Sequence, residues 1–212
     1  MDPSFWHQRW EKNEIGFHER KANPVLVTHF NELSLAKGSR VFVPLCGKTL
    51  DISWLLSNGN RIAGAELSQI AIEQLFIELG RQPEISTVGD MEQWSANSLN
   101  IFIGDIFTLS RKMLGTVDAI YDRAALVAFP EEMRNRYTSH LTEITGKTPQ
   151  LLVCYDYDQR LMAGPPFSVG HKEVKRHYAA SYDVTLIAST DVPGGLKGKC
   201  AARENVWLLQ SK

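Results

Sequence analysis

The stretch that most constrains the fold is residues 40–68. An apolar run, Val41-Phe42-Val43, meets a turn at Pro44-Leu45-Cys46-Gly47-Lys48. A helical pattern opens at Thr49, and Arg61-Ile62-Ala63-Gly64-Ala65 then returns to an acid, Glu66, ahead of Ser68. Two apolar runs bracketing a helical pattern read as a strand, helix, strand unit, the building block of parallel sheets. In doubly wound sheets the ligand docks beyond the carboxyl end of the first strand, and an acid about 20 residues on can accept both ribose hydroxyl hydrogens. Gly47 and Glu66 have that spacing.

The glycines that are missing narrow the ligand. A dinucleotide turn uses G-x-G-x-x-G so that backbone can approach a pyrophosphate at a helix N-terminus, and this turn has Gly47 alone. Gly47-Lys48-Thr49 matches the end of a P-loop, but Phe42 stands where its first glycine belongs. A nucleoside ligand without a phosphate chain remains, and S-adenosylmethionine fits that description. The other reading of the stretch is an ordinary buried βαβ unit.

Length and charge exclude several classes. At 212 residues the chain suits one α/β domain with additions. With 23 Lys and Arg against 24 Asp and Glu, and no long basic block, it lacks the positive stripe that nucleic-acid backbones require. No apolar run reaches the roughly 18 to 20 residues that span a bilayer. MDPSFWHQRWEKNE at the N-terminus is polar and aromatic, unlike a signal peptide, so a cytoplasmic protein is expected. Cys46, Cys154 and Cys200 are odd in number and widely spaced, which points to free thiols rather than disulfides or a metal site.

Along the chain, Asp2-Pro3 reads as a helix start, and Trp6 and Trp10 share a face of that helix. On residue pattern alone it is an amphipathic arm packed on the core. Gly16-Phe17-His18 ends the pattern. A second helix is expected from Asn23-Pro24 to Leu35, Thr49 as cap of the first crossover helix, and Ser68 as cap of the next, with Ile72, Leu75, Phe76 and Leu79 on its core face. Residues 81–98 are too irregular to assign.

Later strands are expected at 99–103, 117–121, 150–155, 182–188 and 205–210, with helices from Pro130 and from His171 to Ala180. Strands and helices that alternate in this way give a doubly wound, mostly parallel α/β sheet.

Ligands of such sheets collect at the switch point, where Leu45-Cys46-Gly47, Glu66, Asp105-Ile106 and Asp122-Arg123 are expected. Asp105 could accept from an adenine amine or simply cap a turn. Arg123 could stabilise a thiolate acceptor or pair with Asp122. Phe17, Pro165, Pro166 and Phe167 could supply apolar surface for a ring, or the proline pair could be only a rigid loop.

Several of these segments form a larger pattern: Trp6 and Trp10 followed by Gly16-Phe17-His18, then Val43-Pro44-Leu45-Cys46-Gly47-Lys48, Glu66-Leu67-Ser68, Tyr121-Asp122-Arg123-Ala124-Ala125-Leu126, and Gly164-Pro165-Pro166-Phe167. In this order they resemble the thiopurine S-methyltransferase family in its bacterial form. The resemblance implies a Rossmann-like class I S-adenosylmethionine-dependent methyltransferase with a seven-stranded sheet, converting its cofactor to S-adenosylhomocysteine. It also implies an acceptor that is an aromatic or heterocyclic thiol such as 6-mercaptopurine, or a selenium or tellurium compound.

Carried over by position, the family's cofactor contacts fall on Trp10, Phe17, Leu45, Glu66, Asp105, Ile106 and Arg123, beside Gly47, which its spacing to Glu66 already makes a cofactor candidate. Phe17 also matches the position that borders the acceptor, and Arg123, Pro165 and Pro166 are the other candidate acceptor contacts. The arm becomes a lid over the cofactor. Animal relatives carry a substrate-side arginine before the last strand, where this chain reads Pro193-Gly194-Gly195-Leu196-Lys197-Gly198-Lys199.

The expectation is therefore a single methyltransferase domain over 1–212, with an arm and lid at 1–38 and an α/β core at 39–212. It acts as a monomer on a small molecule, with neither nucleic acid, membrane nor metal. The rivals are a non-catalytic nucleoside-binding module and a nicotinamide-dependent oxidoreductase.

Overall fold

The computed structural model describes residues 3–16, 18–19 and 21–212. Asp2, expected to cap the first helix, and Phe17, expected at both cofactor and acceptor, lie outside the described residues. The chain forms two compact units, Met1–Ala119 and Ile120–Lys212.

The first unit opens with α1 (Pro3–Glu11) and α2 (Pro24–His29). Asn23 caps α2 by accepting from the Val25 amide, and its own amide donates to Asp51 Oδ1 at 2.7 Å, which ties this helix to the start of α3. The second helix stops earlier than expected. It passes into a short 3-10 turn at Phe30–Leu33 that ends on Ser34 in the left-handed region.

β1 (Arg40–Pro44), α3 (Asp51–Ser57), β2 (Arg61–Glu66) and α4 (Gln69–Glu78) follow. Leu50 occupies the cap position of α3 without a side-chain hydrogen bond, and the Thr49 hydroxyl one residue earlier accepts from the Asp51 amide at 3.3 Å. Ser68 caps α4 as expected, accepting from the Ala71 amide.

To the strands expected from sequence the structure adds a hairpin, β3 (Glu84–Val88) and β4 (Met91–Ala96), turning at Gly89-Asp90 and pairing antiparallel with β5 (Leu99–Ile103). β3 is nearly all exposed, so it carries no alternating apolar pattern to reveal it. The strand order in this unit is β3-β4-β5-β2-β1, and β1, β2 and β5 run parallel. Val41, Phe42, Ile62, Ala63, Ile101 and Phe102 are fully buried, as strands covered on both faces require. The short helix α5 (Arg111–Leu114) precedes β6.

β6 (Ala119–Arg123) belongs to the second unit from Ile120 onward and pairs there in parallel with β7 (Gln150–Tyr157), and β7 pairs antiparallel with β9 (Ala202–Ser211), itself antiparallel to β8 (Tyr182–Asp191). α6 (Glu131–Thr145) turns Tyr137, Leu141 and Ile144 inward, and its first-turn acids Glu131 and Glu132 face the positive end of the helix. α7 (His171–Tyr178) packs beside it. Nine strands thus form among the described residues where seven were expected, the hairpin accounting for the difference. Cys46, Cys154 and Cys200 are buried free thiols, and no described helix is long and apolar enough to cross a membrane.

Candidate functional site

In the first unit β1 ends at Pro44 and the chain turns sharply. Leu45 takes φ +48° and Gly47 φ +49°, with the Cys46 amide donating to Ala65 O at 3.0 Å. A left-handed leucine is uncommon and strained. The turn brings the Gly47 amide against the acid at the end of β2, donating to Glu66 Oε2 at 2.8 Å, while the Ser68 amide donates to Oε1 at 2.9 Å.

Glu66 is 7% exposed. Burial pushes its carboxyl up from the usual range, and the Ser68, Gly47 and Leu67 amides pull it back. A carboxylate offers about four lone-pair sites, so the amides that hold Glu66 leave it able to accept from a ligand. A vicinal diol supplies two donors.

Trp10 closes over this turn. It is 4% exposed, and a Cβ built on Gly47 would lie 3.0 Å from its Cζ2. Lys48, which would reach a phosphate in a P-loop, instead donates to Glu78 Oε1 at 2.7 Å. The Cys46 thiol is pushed well up by burial and by the Glu66 charge, so it stays protonated and is a poor nucleophile.

The register aligns Glu66 with Ile103, and the Gly104 amide donates to Glu66 O at 2.9 Å, so Asp105 and Ile106 emerge beside the acid. Asp105 is exposed and its Oδ1 accepts from the Phe107 amide at 3.0 Å, capping the turn Ile106–Thr108. Of its expected roles the turn role is visible here, and it engages one oxygen. Ile106 is buried.

Asp122 is a correction. Expected among the ligand-facing acids, it is fully buried in the second unit, accepting from Tyr137 Oη at 2.8 Å and from the Leu126 amide at 3.1 Å. Neighbouring residues of a strand point to opposite faces, so Asp122 and the half-buried Arg123 part company. Burial pushes the Asp122 carboxyl up to about 6, against the hydrogen bonds from Tyr137, Leu126 and Ala125.

In the same unit the loop after β7 holds Pro165 and Pro166, both half-buried, with cis bonds before each. A Cβ on Gly164, at φ +82°, would lie 2.6 Å from Phe167 Cδ1, so only glycine admits that ring. The Phe167 amide donates to Val127 O at 2.7 Å, and the Arg134 guanidinium sits 6.0 Å from its ring centroid. Arg134, 4% exposed, grips Glu173 through Nε at 2.6 Å and Nη2 at 3.1 Å. Sequence reasoning missed Arg134 and Tyr157, whose hydroxyl donates to Pro166 O at 2.7 Å. Neither sits in a motif, and both partners are far along the chain or in an aperiodic loop.

A family model described as thiopurine S-methyltransferase matches residues 1–212. The chain belongs to that family. Among its curated relatives is a thiopurine S-methyltransferase of Xanthobacter autotrophicus, 59% identical over 211 residues and 99% of both chains. Another, of Teredinibacter turnerae, is 50% identical across 99% of this chain and 97% of the relative.

Solved structures share the fold at low identity. The Burkholderia thailandensis 1,6-didemethyltoxoflavin-N1-methyltransferase, with bound 1,6-didemethyltoxoflavin and S-adenosylhomocysteine, superposes at TM-score 0.66 with 13% identity, over 99% of this chain and 87% of that one. The Synechocystis magnesium protoporphyrin IX methyltransferase with bound S-adenosylhomocysteine gives 0.63 with 14% identity, over 99% and 100%. The Rossmann-like α/β class expected from sequence is the fold that the family member adopts.

Proposed function

We propose that the chain is an S-adenosylmethionine-dependent S-methyltransferase that methylates small aromatic or heterocyclic thiols, thiopurines such as 6-mercaptopurine among them, with selenium and tellurium compounds as further acceptors. The observation that carries this reading is Glu66, fixed at the end of β2 by the Gly47 and Ser68 amides beneath Trp10. The family supplies the chemistry.

S-adenosylmethionine held here would supply an electrophilic sulfonium methyl, which an acceptor sulfur would take as the methyl's bond to the sulfonium breaks and that electron pair returns to the thioether sulfur of S-adenosylhomocysteine. The residues mainly position and shield. Glu66 accepts the ribose hydroxyls, Leu45 and Gly47 shape the turn beside them, Asp105 and Ile106 border the adenine, and Trp10 excludes water. Arg123 binds cofactor and acceptor and favours an ionised acceptor sulfur. Pro165 and Pro166 contact the acceptor ring. No general base is assigned, because a thiol that ionises near neutral pH needs none.

In this reading residues 1–212 form one methyltransferase domain that works as a cytoplasmic monomer on small molecules. The nicotinamide alternative is disfavoured by the single glycine of the turn, which lacks the backbone approach a pyrophosphate needs. Calorimetric titration with S-adenosylmethionine and S-adenosylhomocysteine, followed by methylation of 6-mercaptopurine on the same sample, tests the reading. Binding with product formation supports it, binding without turnover of any thiol favours the non-catalytic module, and no binding to folded protein removes the cofactor assignment.

A further inference from the structure

Pro165 and Pro166 have no amide hydrogens, so this part of the loop cannot be tied down through donors of its own backbone. Their carbonyls remain strong acceptors, and each is taken by a side chain from outside the pair. Tyr157 Oη donates to Pro166 O at 2.7 Å, and Lys197 Nζ donates to Pro165 O at 2.8 Å.

The first tie is local. Tyr157 ends β7, and Gln159 completes a short circuit, donating through Nε2 to the Tyr157 hydroxyl at 3.1 Å and to Met162 O at 2.6 Å, while its Oε1 accepts from the Ser168 amide at 2.8 Å. The second tie comes from elsewhere in the unit, the connection between β8 and β9.

That connection is built to present Lys197. Leu196, one residue before it, is 7% exposed and packs with Tyr157, Met162, Cys200 and Ala202. The Leu196 amide donates to Cys200 O at 2.8 Å and the Gly195 amide to Val192 O at 2.9 Å. Gly195, at φ +79°, has no room for a Cβ, which would fall 2.6 Å from Cys200 O. Lys197 follows at φ +53°, also left-handed. With the backbone fixed by the buried leucine and the tight turn, forming the clasp orders little beyond the lysine side chain itself.

We propose that Lys197 is a positioning residue for the methyl acceptor: it clasps the Pro165 carbonyl and so makes the β8–β9 connection part of the device that sets the acceptor loop. This deepens the acceptor reading given above and rests on it. In sequence, Lys197 lies in the segment where animal relatives carry a substrate-side arginine. The structure commits its ammonium to a backbone carbonyl of the residue pair expected against the acceptor ring.

Steady-state kinetics with 6-mercaptopurine and thiophenol, on wild type and on K197M, K197R and Y157F, test the assignment alongside calorimetric S-adenosylhomocysteine binding. Loss of one hydrogen bond corresponds to about a fivefold change. K197M is expected to raise the acceptor KM by about that factor while kcat and S-adenosylhomocysteine affinity stay within about twofold of wild type. K197R is expected to restore the KM, and Y157F to shift it in the same direction as K197M. An unchanged acceptor KM in K197M, or a KM increase matched by an equal loss of S-adenosylhomocysteine affinity, overturns the inference while leaving the thiol-methylation reading intact. Wild-type protein that methylates no thiol overturns both.

Discussion

The Gly47 amide donates to Oε2 of Glu66 at 2.8 Å, so the turn after β1 and the acid at the end of β2 form one hydrogen-bonded unit. In the proposed cofactor role, removing the acid takes away both a diol acceptor and the anchor of the turn. Glu66→Ala is expected to weaken S-adenosylhomocysteine binding roughly 10- to 100-fold, and Glu66→Gln by less, since charge-assisted hydrogen bonds contribute about 1.5 to 3 kcal/mol each. Titration calorimetry measures both variants; equal affinity in all three proteins would remove Glu66 from the cofactor site.

Trp10 and Gly47 are expected to be coupled. A methyl group on Gly47 must displace the indole 3.0 Å away and also strains a backbone at φ +49°. G47A and W10A should each reduce cofactor affinity about tenfold. The double variant should lose little more than either single one, because both disrupt the same contact. Fully additive losses in a calorimetric cycle would mean that Trp10 does not act through this turn.

Asp122 gives a pH dependence with a definite sign. Its folded carboxyl holds a proton up to about 6 against an ordinary value of 3.8. The stability it contributes is therefore fully present below pH 3.8 and is lost as pH rises through about 6. The unfolded chain binds fewer protons in that window, and the loss amounts to about 3 kcal/mol. Urea denaturation of wild type and D122N across this range should show wild type losing stability relative to the variant as pH rises. A difference that stays constant with pH would assign the titration elsewhere.

Arg134 and Glu173 should prove interdependent. Their side chains are 5% and 16% exposed, and Glu173 also meets His177 Nε2 at 3.1 Å and Arg176 Nη2 at 3.5 Å, so the pair is part of a small network. Burial pushes the Glu173 carboxyl up, but hydrogen bonds from His177 and Arg134 bring it below its ordinary value. Arg134→Met is expected to cost about 1 to 3 kcal/mol, and R134M combined with E173Q to recover part of it, because the amide removes the unbalanced charge and still offers His177 a partner. Denaturant midpoints decide this; a double variant as unstable as R134M would show that the lost stability lies in packing against Phe167.

The legible parts of this protein are those where covalent spacing maps directly onto geometry. Gly47 and Glu66 could be placed together because a strand, helix, strand unit of that length returns its second strand beside its first, and β1 pairs with β2 in that way. Ser68 was legible as a cap because the capping hydrogen bond spans three residues. β3 was not, since its side chains are exposed and only its partner strand gives it a reason to be extended. Asp122 was misplaced for a related reason: pattern locates the end of a strand, but pleat parity, set by pairing across the sheet, decides which side chain turns to the core.

By itself, then, the sequence determined the α/β class, the ordering of turn and acid at the first two strands, and membership of a family through motifs whose order is carried along the chain. The tertiary structure alone decided which polar groups meet: Glu66 with the Gly47 amide, Asp122 with Tyr137, Arg134 with Glu173, and Lys197 with Pro165. Local periodicity records only whether a position faces a core. A hydrogen bond between residues far apart in the chain depends on distances of a few tenths of an ångström, which are set once every element has packed.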